Sequence, residues 1–141
     1  MAIYSLAQRT TTFTATTTAN IEWRTPATVR PKVLEISYVQ LTAVASQIGL
    51  GRPQAIGITP VNVLFQADDP GDPASVMNGS LSWATSPTVP LIYHRRWNGT
   101  LASVGVVWTF PRGLVIPVSS SLVIWNIATT VASDVNCVID E

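Results

Sequence analysis

Residues 113–128 read GLVIPVSSSLVIWNIA, two apolar runs separated by Pro117 and the serines 119–121. The second run is apolar at both parities, with Leu122 and Ile124 at one and Val123, Trp125 and Ile127 at the other. Successive side chains of a strand point to opposite faces, so this pattern describes a strand covered on both sides. Such a strand lies between two layers or at a seam between subunits. The chain then closes with residues 134–139, where Val135, Cys137 and Ile139 share one face before Asp140 and Glu141. A last strand with so little tail behind it belongs in the middle of a sheet.

Working outward, the same kind of segment recurs. Residues 103–110 form a run rich in Val with Trp108 and Phe110, and Asn98-Gly99 ahead of it is a good hairpin turn, because both residues tolerate positive φ. The run is therefore expected to pair back on 91–97. Residues 76–84 and 89–97 are further strand candidates, and 61–66 alternates Val61, Val63 and Phe65 with Asn62, Leu64 and Gln66. The longest candidate is 33–46, with Leu34, Ile36 and Tyr38 on one face. Asp68-Asp69-Pro70-Gly71-Asp72-Pro73 is the strongest turn signal and marks a surface loop. Helix signals are nearly absent: no apolar recurrence at three and four residues is sustained, and ten prolines and eight glycines punctuate the chain. Residues 1–31 differ in kind, since Thr10, Thr11, Thr12 and four more threonines crowd around Phe13. So few large apolar groups do not close a core, and the segment reads as an extended N-terminal arm. If ordered, it adds a strand to its own domain or to a neighbour. The expected organisation is an arm over 1–31 and an all-β antiparallel sandwich over 32–141.

Composition narrows the function. With 141 residues the chain is one compact domain. Eight basic and eight acidic residues cancel, which disfavours nucleic acid as a partner, because phosphate binding needs a positive excess. One histidine, His94, and one cysteine, Cys137, exclude an intramolecular disulfide and a Cys/His zinc site, so no metal or other cofactor is expected. A nucleophilic Cys137–His94 pair is disfavoured, since Cys137 falls in an apolar alternation, whereas a reactive thiol wants a polar, partly exposed setting. The acidic loop lacks the spacing of a calcium-binding hand, so it reads as solvated. The uncharged stretches 73–93, 97–111 and 113–133 are each broken by Pro, Gly, Ser, Thr or Asn, and no membrane-spanning helix is expected. The N-terminus has neither the basic nor the long apolar region of a signal peptide.

His94-Arg95-Arg96-Trp97 is the only cluster of positive charge, and it adjoins an aromatic. One reading is an anion or carbohydrate contact, with Arg forking to a carboxylate and Trp stacking on a sugar face. The other is an Arg pairing, across strands or between subunits, with carboxylates such as Asp68 or Glu141. Either way these side chains suit contact better than catalysis. Only 11% of residues are charged against 47% hydrophobic, more apolar surface than one sandwich hides, so the surplus is expected to meet a partner.

The order of a long first strand, an acidic loop and the 113–141 hairpin and final strand resembles a jelly roll. From Gly113 to Glu141 it is similar to the jelly-roll decoration or cement proteins of tailed bacteriophages. The resemblance covers about residues 32–141 in pattern. It implies a non-enzymatic virion protein, made in the bacterial host cytoplasm and bound as a homotrimer to the outer capsid surface, where it bridges major capsid protein subunits. Closed cyclic symmetry suits identical chains with apolar surface to cover. The residues expected at the subunit seam are Val106, Trp108, Val123, Trp125 and Ile127. Those expected at the partner are Thr10, Thr11, Thr12 and Phe13 of the arm, with Arg95, Arg96 and Trp97.

Other readings predict different features. A trimeric glycan- or receptor-binding head requires an exposed aromatic platform, Trp97 or Trp83 beside Arg95 or Asn98, and carbohydrate as partner. A baseplate, neck or fibre component differs by location in the virion. A metal-dependent enzyme on the same fold needs two or three histidines, and the chain has His94 alone.

Overall fold

The computed structural model of the chain describes residues 2–11, 18–129 and 131–141. Among them every regular element is a strand: β1 (Ile3–Thr10), β2 (Ala19–Arg24), β3 (Lys32–Gln40), β4 (Ser46–Pro53), β5 (Ile58–Leu64), β6 (Gln66–Ala67), β7 (Asn78–Thr85), β8 (Pro90–Gly99), β9 (Gly105–Val115), β10 (Ser121–Asn126) and β11 (Ser133–Asp140). They form two antiparallel sheets packed face to face, in the orders β6-β1-β11-β3-β9 and β5-β7-β2-β10-β4-β8. Eight of them pair first with last inward: β1 with β11, β2 with β10, β3 with β9, β4 with β8. That is one long hairpin wrapped into a sandwich, the jelly-roll topology.

The core follows from alternation. Ile36 and Tyr38 of β3, Ile48 and Leu50 of β4, Leu122 and Ile124 of β10, and Val135, Cys137 and Ile139 of β11 are all fully buried between the sheets. All six residues of β10 are buried, as the two-parity run predicts, and β11 lies between β1 and β3.

The N-terminal segment takes its ordered form and adds strands to its own domain, and the boundary at Lys32 is a correction. Residues 3–10 form β1, inserted between β6 and β11, and 19–24 form β2 inside the other sheet, so no domain boundary falls at Lys32. Tyr4, Leu6, Ile21 and Trp23 enter the core, and Arg9 makes a 2.7 Å ion pair with Asp134 across the β1–β11 seam. Few large side chains per strand suffice when nine other strands supply the rest of the core.

The Asn98-Gly99 hairpin is a second correction. Strand β8 runs through both residues and pairs with β4, with Asn98 opposite Gln47, while β9 pairs with β3 in the other sheet. The chain turns at 100–104, where Ser103 takes φ +60°, and crosses between sheets. Glycine at 99 serves packing instead, because a Cβ there would strike the Trp97 ring.

Residues 54–89 are an insert between β4 and β8. Its β5–β7 hairpin extends one sheet beyond β2, its β6 extends the other beyond β1, and buried Phe65 joins the two. The insert therefore builds one side of the sandwich, while β8 and β9 form the opposite side.

Candidate interaction surfaces

Three of the five expected seam residues are buried inside the single chain. Val123 is fully buried, and Trp125 and Trp108 are 7% exposed, all within the single chain; Val106 and Ile127 are half-buried, Val106 against the core. The cover over β10 comes from the insert and from β8. Glu22 alternates with the core residues Ile21 and Trp23, so it points away from the core, yet it is fully buried. Its Oε1 accepts hydrogen bonds from the Gly57 backbone N–H (3.1 Å) and the Ser121 hydroxyl (2.7 Å), and its Oε2 accepts one from the Trp83 indole N–H (2.7 Å). Val123 lies directly opposite Glu22, under the same cover. Further along, Trp125 pairs with Gly49, and a Cβ on Gly49 would strike the ring of Tyr93. The two-parity pattern reported a second layer correctly, but that layer comes from the same chain.

The partner residues expected in the arm also move. Thr10 is buried, and its hydroxyl pairs with that of Ser133 at 2.7 Å, so it is part of the sheet. Thr11 is exposed at the end of β1, and Thr12 and Phe13 lie outside the described residues.

Strand alternation sets Arg96 on the opposite face of β8 from Arg95 and Trp97. The Arg95 guanidinium stands 5.2 Å from the centre of the Phe110 ring, at the β8/β9 side. Arg96 stands 5.5 Å from the Tyr93 ring centre. Trp97 turns towards the core, its ring tilted 57° against Tyr38 at 5.6 Å. Beside them Arg52 donates to the Val115 carbonyl (2.7 Å) and lies 3.0 Å from His94 Nε2, tying β4 and β8 to β9. Burial, then the charges of Arg52 and Arg95, push the His94 pKa down, so the ring is neutral at pH 7 and its Nε2 accepts the bond from Arg52. Cys137 belongs to the other sheet and is fully buried, and desolvation pushes its thiol far up. A thiol held protonated and dry is no nucleophile.

The acidic loop sits at the opposite side. Asp68 accepts a hydrogen bond from the Ser5 hydroxyl (2.7 Å), and Asp69 accepts one from the Gly71 N–H (2.9 Å). Glu141 holds the returning chain by accepting from Val76 N–H (3.1 Å) and the Ser75 hydroxyl. Among the described residues no three of His, Cys, Asp and Glu gather into a metal-ligand set.

What remains outside is a set of large apolar side chains on the two sides of the sandwich. On β8 Leu91 is 79% and Ile92 78% exposed; on β5 Val61 is 66% and Ile58 60% exposed, with Val63 and Leu64 beside them. The sequence signalled this surplus through its shortage of charge without saying where it lies. The chain matches no protein-family model, no curated protein and no solved structure.

Proposed function

We propose that the protein is a non-enzymatic virion structural protein, a decoration protein that binds the outside of a phage head as a homotrimer and bridges major capsid protein subunits. The observation that carries the reading is the apolar surface left at the sides of a closed sandwich, with Leu91 and Ile92 nearly four-fifths exposed. A lone domain gains nothing from keeping such groups in water, whereas an assembled one buries them. The jelly-roll order supports it as an architecture well suited to shells and their fittings. The seam of this trimer is assigned to the sides of the sandwich, in place of Val123 and Trp125.

The test is separation of heads from tails followed by mass spectrometry, with add-back to heads lacking the protein. Stoichiometric binding to heads and a gain in their resistance to heat are expected. Presence in tails alone would transfer the protein to a baseplate, neck or fibre, and absence from particles would end the reading. A second reading, a glycan- or receptor-binding head, is favoured by a cleft of about 580 Å³ lined by Gln47, Arg96, Trp97 and Asn98. Trp83, the other candidate platform, has its indole N–H committed to Glu22. Binding on a glycan array that disappears in Trp97→Ala would support the second reading.

A further inference from the structure

The two open sides of the sandwich are complementary in charge and alike in apolar content. On the insert side, the loop after β6 presents Asp68, Asp69 and Asp72, and exposed Val63, Leu64 and Val76 flank it. The loop is stiff: Pro70 and Pro73 fix two φ angles, Asp69 accepts from Gly71 N–H, and the Asp72 N–H donates to the Asp69 carbonyl at 3.0 Å.

On the opposite side, edge strand β9 is interrupted. Val33 pairs with Leu114 and Glu35 with Thr109, so Leu34 alone stands opposite Phe110, Pro111, Arg112 and Gly113. These four residues bulge, with Gly113 at φ +72°, and together with Arg95 and Leu114 they line a notch of about 380 Å³. Arg95 and Arg112 are both exposed, and neither makes an ion pair; the one among the described residues is Arg9–Asp134. Leu91 and Ile92 precede Arg95 on the same strand.

Register fixes how the two surfaces are related. Tyr4 pairs with Ala67, Ile3 with Asp140, Asp140 with Lys32, and Lys32 with Val115, so loop and notch lie along one end of a single sheet. Four strand spacings separate them, roughly 19 Å at ~4.8 Å each. No side chain spans that gap within one molecule.

We infer that the acidic loop 68–73 of one copy docks in the Arg95/Arg112 notch of the next, a head-to-tail contact repeated around a closed ring. Resting on the self-association proposed above, it names the two surfaces that form the seam. A contact between two different patches generates a ring when its rotation closes. The charges set orientation and encounter rate, while the apolar flanks supply most of the affinity. The loop's stiffness lowers the ordering cost of docking.

The test compares four full-length proteins by size-exclusion chromatography with light scattering: wild type, Arg95→Glu/Arg112→Glu, Asp68→Lys/Asp72→Lys, and all four substitutions together. Wild type is expected as an oligomer that weakens in 1 M NaCl, where the screening length falls to about 3 Å. Each double variant faces like charge with like charge and is expected at 15.1 kDa, its association weakened by more than about tenfold. The fourfold variant exchanges the signs on both surfaces and is expected to regain the wild-type mass. All four side chains lie outside the core, so an unchanged β-sheet circular dichroism signal and a cooperative melt in every variant verify that folding is intact, while any fall in melting temperature on loss of association is expected from mass action. A double variant that keeps the wild-type mass overturns this contact and leaves self-association standing. A fourfold variant that stays monomeric also overturns it. A wild type that is monomeric at every concentration overturns the self-association on which the inference rests.

Discussion

Glu22→Gln tests whether the insert is fastened to the sandwich by a buried carboxylate. The substitution keeps the shape and replaces one acceptor oxygen by an NH2 group. If the amide oxygen takes the place of Oε1, it keeps the Gly57 and Ser121 bonds, and the NH2 meets the Trp83 indole N–H, donor against donor. Losing that bond and burying an unpaired donor costs about 1–3 kcal/mol, and loss of charge assistance on the other two removes roughly 0.5–1 kcal/mol each. A neutral amide is cheaper to bury than a carboxylate, which trims the total to about 2–3 kcal/mol. For a chain of this length the melting temperature falls by roughly 2–4 °C per kcal/mol, so a drop of about 4–12 °C is expected. Calorimetry and urea denaturation measure it, and Trp83→Phe completes a double-mutant cycle. In the Glu22→Gln background the indole donor is already unmatched, so removing it should cost at least ~1 kcal/mol less than in wild type. Additive effects, or a Glu22→Gln protein within about 0.5 kcal/mol of wild type, would refute the idea that this carboxylate pins the insert.

Other consequences are equally direct. His94 has a folded-state pKa below its ordinary 6.5, so its contribution to stability is complete above pH 6.5 and is lost as pH falls from there towards the lower folded value. His94→Gln, which keeps an acceptor for Arg52 and does not titrate, should flatten that part of a melting-temperature against pH curve; an unchanged slope would place its origin elsewhere. Cys137 should resist alkylation in the native protein at neutral pH and react only at the rate of unfolding, because its thiol is buried and held protonated. Deleting residues 1–20 should abolish folding, seen as loss of the β-sheet circular dichroism signal, since it removes β1 from between β6 and β11 and the start of β2. A folded, shortened protein would return that segment to the status of an arm.

The strands legible in the sequence are those whose pattern is strong by itself. β10 is apolar at both parities, and β11 alternates cleanly into a charged end. β1 and β2 are hidden because threonines dominate their neighbourhood, and each shows the two-residue alternation through only one pair of large core residues, Tyr4 and Leu6 or Ile21 and Trp23, too short a run to stand out. Asn98-Gly99 misled for the opposite reason: it is a strong local turn signal overridden by tertiary packing, the glycine being needed beneath the Trp97 ring. The seam was misplaced because apolar alternation reports that a face is covered and cannot say by what. The cover came from residues around Gly57 and from Trp83, whose link to Glu22 spans 61 positions and leaves no local trace.

The edges of the two sheets explain why copies of this chain would meet through side chains and not by joining sheets. An exposed edge strand invites backbone pairing with another chain unless something blunts it. Here three edge strands carry proline, Pro60 in β5, Pro90 in β8 and Pro111 in β9, and each removes an N–H that a continuing ladder would need. The bulge at Phe110–Gly113 interrupts β9 further, and it is the same distortion that opens the notch beside Arg95. One local irregularity therefore both blunts the β9 edge against sheet extension and builds a concave, cationic, apolar-flanked surface. A chain with so few charges has placed cations at one side and carboxylates at the other, with no ion pair to either among the described residues, where a bounded assembly can bring them together.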